Sequence, residues 1–446
     1  MIRRVRLGHS VALLLAASLL AACAGRRPRE VSPAEIPDLE ARLEREPENI
    51  ALRARYAAAL FAANRCDDAT AAAQRVRQPR PADAVAVLVV GQCAEKAERH
   101  AEALGVYRAF LAEYPKARGV AAIRARAQLA LRAYATQQAR LALQNEAQLS
   151  TQPADPNTLA VLPLTVASPD TSYQALSRGL AQMMTSDLSL IQRFRLVERL
   201  QLGALLDELR LGQTGRVDPG TAARVGRLVQ ASRMVQGLAN LPPEGEIRLE
   251  AAVVQATGEV TAPEAVTGRF RDLLRLEKDL VVLLSARLGY QLSEAERRMI
   301  LENGTQNLAA FLAYSSGLLA EDAGDFQRAA AYFSDAVRAD PGFQAAQEQY
   351  QSASVMEEVQ QAAPDQAAET APPAPPQTGP EPGTGGQLDA GTKELAANTS
   401  EKAAAPSSQP VQQAINTPAA TPPATTTGLG TTQTATGTIR IAFRLP

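Results

Sequence analysis

Leu159-Ala160-Val161-Leu162-Pro163-Leu164 decides the fold of the middle of this chain. The run is short, apolar and set off by Pro156-Asn157, as expected of a buried strand. Leu176, Leu180, Met183, Met184, Leu188 and Ile191 then recur at helical spacing. Arg195-Leu196-Val197-Glu198-Arg199 reads as a second strand, with Glu198-Arg199 as a structural ion pair at its end. Leu202, Leu205, Leu206 and Leu209 mark a helix ending near Gly212, and Gly212-Gln213-Thr214-Gly215 reads as an interhelical turn rather than a phosphate loop. Asp218-Pro219 opens the next helix, with Asp218 as N-cap and Pro219 at the first helical position. Met234–Gly237 is a third strand. Ile247, Leu249, Ala251 and Val253 alternate with Arg248 and Glu250 in a fourth, and Thr257-Gly258 turns the chain back toward Val260. Phe270–Leu288 is a long apolar helix. Strands interleaved with helices predict one mixed sheet with helices against it, over residues 157–292.

Leu159–Leu164, Gly179-Leu180, Val197-Glu198-Arg199, Leu205, Glu208, Gly212, Gly226 and Gly237 form an ordered set. It resembles the CsgG-type curli-assembly lipoprotein domain. It is similar, more loosely, to the amino-terminal domain of TolB and to flagellar outer-membrane lipoproteins. The resemblance implies a periplasmic α/β domain in outer-membrane assembly or export. The curli exporter inserts long amphipathic β-hairpins into the membrane, and a membrane strand needs about 9–11 alternating residues. Here only Ile247–Val254 alternates well, so no transmembrane barrel is expected.

Before this domain, Pro47, Pro81 and Pro115 recur every 34 residues. Ala69 and Ala103 keep the same interval, and Tyr107 and Phe110 follow Ala103 on one helical face. The pattern resembles tetratricopeptide repeats, helix–turn–helix units that stack side by side. Ala121–Gln148 carries a long Ala/Leu/Arg/Gln helical pattern without Pro or Gly, which would cap the array. A tetratricopeptide domain is therefore expected over residues 37–150, exposing a surface for peptides.

At the amino terminus, Arg3, Arg4 and Arg6 precede an apolar stretch, Val11–Ala22, too short to span a membrane. It ends Leu20-Ala21-Ala22-Cys23, which resembles the lipobox of bacterial lipoproteins. That resemblance implies cleavage of residues 1–22 and acylation of Cys23, with several acyl chains giving durable anchoring. Ala24 after Cys23 favours the outer membrane, with the protein facing the periplasm. Residues 23–36 would be a tether, its Arg26-Arg27-Pro28-Arg29 and Pro33 opposing regular structure. In the repeat register, Cys66 falls near a turn between helices and Cys93 near the end of the next first helix. Those positions neighbour each other in stacked repeats and the periplasm is oxidising, so a Cys66–Cys93 disulfide is expected. The alternative is two buried thiols acting as small apolar residues.

On the other side of the α/β domain, Gly317, Gly324, Ala329, Phe333, Ala336 and Pro341 fit one further tetratricopeptide unit. Residues 293–352 are expected to hold it, with Ser293–Leu301 as the connecting helix. A lone unit cannot bury both faces and should dock on the middle domain, the first array or another subunit. Residues 353–437 are rich in Pro, Ala and Thr and are expected to be disordered. Residues 438–446 alternate Ile439, Ile441, Phe443 and Leu445 with Arg440, Ala442 and Arg444, a terminal strand suited to adding onto a sheet edge.

Composition bounds the function. The 446 residues allow two or three domains, at roughly 150 residues each. Hydrophobic residues make up 46% but aromatics only 4%, which favours Ala-rich helix packing over a β-sandwich core. The fold class expected is multidomain, α plus α/β, with a disordered tail. Net charge is −1, so no nucleic-acid partner is expected. The two histidines, His9 and His100, and the lack of GxxxxGK[ST], HExxH, GxSxG and CxxC leave no catalytic, cofactor-binding or metal-binding residue to assign. The first reading is an outer-membrane-anchored interaction scaffold. Its partners would be the bilayer, through the acylated cysteine, and other envelope proteins, through repeat surfaces; homo-oligomers are compatible with it. A second reading is an oligomeric export channel of the curli type, and a third is an envelope enzyme or ligand-binding sensor.

Overall fold

In the computed structural model, residues 31–209 and 218–374 are described, and the signal-peptide, Cys23, Gly212–Gly215 and terminal-strand expectations lie outside them. The chain divides into two units. One takes residues up to Ala130 together with Val355–Pro373; the other takes Leu131–Ser354.

The first unit begins inside the expected tether. Ser32 and Glu35 form a capping box, Val31 is buried, and a short 3-10 turn leads into α1 (Ile36–Arg45). The tether reading of residues 31–36 is therefore corrected: reciprocal side-chain caps on the free N–H groups give this segment structure that its prolines did not suggest. Then come α2 (Ile50–Ala62), α3 (Cys66–Arg77), α4 (Ala84–Lys96), α5 (His100–Glu113) and α6 (Val120–Gln144). Asn49 and Asp83 cap α2 and α4 by accepting from the Leu52 and Ala86 amides. Asn64 and Glu98 take positive φ, 60° and 56°, between α2 and α3 and between α4 and α5. Caps and turns thus share the spacing of the prolines, and the result is antiparallel hairpins, with α1 to α5 each packed on the next. Small residues permit the close approach. Ala57, Ala69 and Ala73 are fully buried, and a Cβ on Gly91 would overlap the Tyr107 ring.

The second unit starts partway along α6. Ala139, Ala142 and Leu149 pack with the α/β core, so the last part of the expected repeat domain belongs here. The single helix expected to Gln148 breaks at Asn145, and α7 (Glu146–Thr151) follows. The sheet holds β1 (Asp155–Val161), β2 (Thr165–Ala167), β3 (Arg195–Leu196), β4 (Ala231–Asn240), β5 (Ile247–Gln255) and β6 (Glu264–Gly268). Its order is β3-β1-β4-β5-β6, with β2 also paired to β4. β1, β2 and β3 run parallel to their partners, while β4, β5 and β6 are antiparallel, so the sheet is mixed as expected. Pro163, which has no N–H to donate, separates β1 from β2, and both lie along β4. The second strand is shorter than expected because Glu198 is already the N-cap of α9 (Arg199–Glu208), which follows α8 (Leu176–Ser189). The return after Gly258 makes only an isolated bridge at Val260 before β6. Asp218 caps α10 (Pro219–Leu228), with Pro219 in its first turn.

Both sheet faces are covered. Leu159, Val161, Val235, Leu249 and Val253 meet α8 and α11 (Leu273–Arg287). On the other face, Ala160, Met234 and Val254 meet Leu205 of α9 and Val225 of α10. A capping box at Ser293 and Glu296 starts α12 (Glu294–Glu302). The hairpin α13 (Leu308–Asp322) and α14 (Phe326–Ala339) follows, then α15 (Gln344–Ala353), so the expected lone unit has a further helix after it. α13 docks on α8 of the middle domain, where a Cβ on Gly179 would overlap Ser315.

The chain then returns to the first unit. α16 (Met356–Gln361) and α17 (Pro364–Glu369) lie where a disordered tail was expected to begin. Met356, Val359 and Ala367 are fully buried, and α17 packs on α2 and α4. Low aromatic content concealed this because small residues suffice to fill the space between Ala-rich helices.

Candidate interaction sites

In the first unit, the inner helices α2 and α4, with the start of α6, form a surface that α16 and α17 cover. Three polar contacts fix the covering segment. Arg126 donates through Nη1 to the carbonyls of Val359 and Gln360, at 3.3 and 3.2 Å, while Nη2 bonds Glu95. Those carbonyls belong to the last turn of α16, which lacks intrahelical donors, so the guanidinium serves as its C-terminal cap. At the other end, Asp365 in the first turn of α17 accepts from the Val31 amide at 3.3 Å. Tyr107 donates to Glu95 at 2.6 Å, and burial, then the Glu95 charge, pushes its phenol up.

The elbow between α16 and α17 does not fill the space beneath it. A cavity of about 780 Å³ is lined by Ser32, Phe61, Gln92, Lys96, Arg126 and Ala362, among others. Gln92 is 4% exposed and its Nε2 donor has no hydrogen-bond partner. Lys96 Nζ stands 3.9 Å from the Phe61 ring centroid and 3.3 Å from Asn64 Oδ1. Partial burial lowers its pKa, and it makes no ion pair among the described residues. None of these residues was singled out in the sequence. Arg126 and Val359 lie 233 positions apart, and no local pattern links them.

Cys66, the first residue of α3, and Cys93 of α4 are joined by a disulfide, with Cα atoms 5.4 Å apart. Both lie in or against the Ala-rich core of the hairpins.

In the second unit, Arg199 sits at a helix start and not at a strand end, which corrects its expected role. Its guanidinium pairs with Glu321, at 3.0 Å, and with Asp322 of α13. Arg178 of α8 adds a bond to Asp322 at 3.0 Å, and Arg132 one to Glu321 at 3.4 Å. Three cations on two carboxylates clamp α13 to the domain, so Arg199 serves packing between elements. A second buried group joins Lys278 to both oxygens of Asp187, at 2.8 and 2.6 Å, with Asn303 also donating to Asp187. Glu277 lies beside them, fully buried, with no donor to either of its oxygens. Burial first, and the Asp187 charge second, push its pKa well above the usual carboxylate range. In the folded chain it therefore keeps its proton to higher pH than a free carboxyl does.

Among the described residues, no group of three or more His, Cys, Asp or Glu could hold a metal ion, and no helix is long and apolar enough to cross a membrane.

The family described as curli production assembly/transport component CsgG matches residues 139–239, from the latter part of α6 to the end of β4. The matched span starts earlier than the resemblance drawn from residue 157 and stops before β5. Its start agrees with the packing of Ala139 and Ala142 in the α/β core. No curated protein matches the chain. Among solved structures, the C-terminal domain of LpoB from Salmonella enterica is 17% identical. The match covers 28% of this chain and 91% of that one, at a TM-score of 0.22.

Proposed function

We propose that this chain is a protein-interaction scaffold of the bacterial envelope, held at the outer membrane on its periplasmic side by an acylated Cys23. In this reading the helix hairpins of both units are tetratricopeptide-like, and their surfaces, with the CsgG-like α/β domain, gather other envelope proteins for assembly, export or appendage biogenesis. No residue is given a catalytic role. The observation that carries the reading is the coupling of stacked helix hairpins to an α/β domain matched by the CsgG family. Hairpin stacks offer long surfaces built from exposed helix faces, suited to binding rather than chemistry. The charge clusters found in the second unit are spent on holding helices together, which also leaves binding as the main role for its outer surface.

The test is crosslinking in cells followed by affinity purification through this chain. The expected result is one or a few envelope proteins, linked at residues of the helix hairpins or the α/β domain. Recovery of the chain without any linked protein contradicts the reading.

A further inference from the structure

The covering segment of the first unit has the marks of a bound peptide. It is short, it comes from a distant part of the chain, and it lies on inner helix faces through an apolar side made of Met356, Val359, Pro364 and Ala367. Two of its polar anchors are its own backbone carbonyls, Val359 and Gln360, held by Arg126, and the third is its Asp365 side chain, which accepts from the Val31 amide. Backbone carbonyls carry no sequence information, so any short helix with the same apolar spacing could use Arg126 in the same way. The fit is also incomplete. At the elbow the segment presents Gln360, Gln361, Ala362 and Ala363 to a cavity of about 780 Å³ whose wall also holds Glu95, Arg126 and Lys96, a cation with no ion-pair partner among the described residues. Gln92, whose buried Nε2 donor is unused, also lines this cavity. An unsatisfied buried donor costs free energy that an acceptor of the right length would recover.

We propose that residues 355–370 are a displaceable internal ligand of this groove, and that its external ligand is a short helical peptide with the same small apolar face and a carboxylate at the elbow. The inference rests on the scaffold reading and names one of its binding surfaces. A carboxylate at the position of Ala362 would stand in the same cavity as Lys96, to which the internal segment offers no carboxylate. The external ligand therefore gains at the elbow while losing the advantage of covalent linkage to the groove. The internal segment would keep the groove closed to weaker, non-acidic helices.

The experiment uses the full chain and fluorescently labelled synthetic peptides of residues 353–371, followed by anisotropy. The first peptide has the natural sequence, the second carries Ala362→Glu, and the third Ala362→Gln. The unmodified chain should bind the natural peptide weakly or not at all. A chain with Met356→Asp and Val359→Asp, which releases the internal segment, should bind it saturably. Ala362→Glu should tighten binding about fivefold to tenfold, and Ala362→Gln by much less. Adding Lys96→Ala to the released chain should erase the gain from Glu while leaving the natural peptide's affinity nearly unchanged. Three results overturn the proposal: a released chain whose first unit no longer unfolds cooperatively, a folded released chain that binds no peptide, or equal affinity for the Glu and Gln peptides. Each would leave partners crosslinked elsewhere on the chain untouched, so failure here is separable from failure of the scaffold reading.

Discussion

Glu277 and Lys278 are adjacent, both on α11 and both almost fully buried, yet only Lys278 has a strong partner. Glu277 ordinarily titrates near 4.5, and burial beside Asp187 raises it well above that. The folded chain thus holds a proton that the unfolded chain releases. For an acid with a raised folded-state pKa, stability is full below the unfolded value and is lost as pH rises through the folded one. Glu277→Gln keeps the shape and removes the titration. Urea unfolding of the second unit should show the variant matching the natural chain near pH 4.5 and exceeding it at pH 8 by more than about 1 kcal/mol. A constant difference across that range would mean that Glu277 is not the proton holder. Lys278→Met leaves Asp187 buried and unpaired and should cost about 3–5 kcal/mol at neutral pH. The cysteines offer a second check at this scale. In denaturant without reductant, Cys66 and Cys93 should resist alkylation, and both should react after reduction. The bond closes a loop with a sequence separation of 27, so its loss should cost about 3 kcal/mol.

At the scale of elements, close approach depends on glycine at two crossings of the second unit. Gly317 on α13 lies under the Phe333 ring of α14, and Gly179 on α8 lies against Ser315 of α13. Gly179→Ala should force α8 and α13 apart and cost about 1–3 kcal/mol in urea unfolding. Ser315→Gly in the same chain should restore part of the loss. Unchanged stability in Gly179→Ala would contradict this packing. Much at this scale was legible in the sequence. Asp218-Pro219 marked a helix start and Leu176 to Ile191 a helix, because these signals are local and periodic, whereas the break at Pro163 inside the expected strand Leu159–Leu164 went unread. Other features were not. β2 is three residues long, too short for any period. α16 and α17 are six residues each; α16 carries only Met356 and Val359 as apolar residues, and α17 has Ala and Gln in place of large ones. Their folding depends on Arg126 and Val31, far away along the chain, and such partners leave no trace in a window of sequence. The division of α6 between two units was equally hidden, since Ala stripes look alike whichever core they enter.

For the whole molecule, the fold class was readable and the site was not. The 34-residue spacing of Pro47, Pro81 and Pro115 gave the hairpins, and alternating strands and helices gave the mixed sheet. The covered groove and its elbow cavity arise only when residues near 95, 126 and 360 come together. In the proposed reading the labour is divided: lipid at Cys23 fixes the place, and helix surfaces select partners. Crosslinking yield in intact cells, compared between the natural chain and Cys23→Ser, tests that division most directly. The account predicts that the natural chain links to envelope proteins from the outer-membrane fraction, and that Cys23→Ser, although folded, leaves that fraction and loses the links. Equal membrane recovery and equal links for the two chains would contradict it.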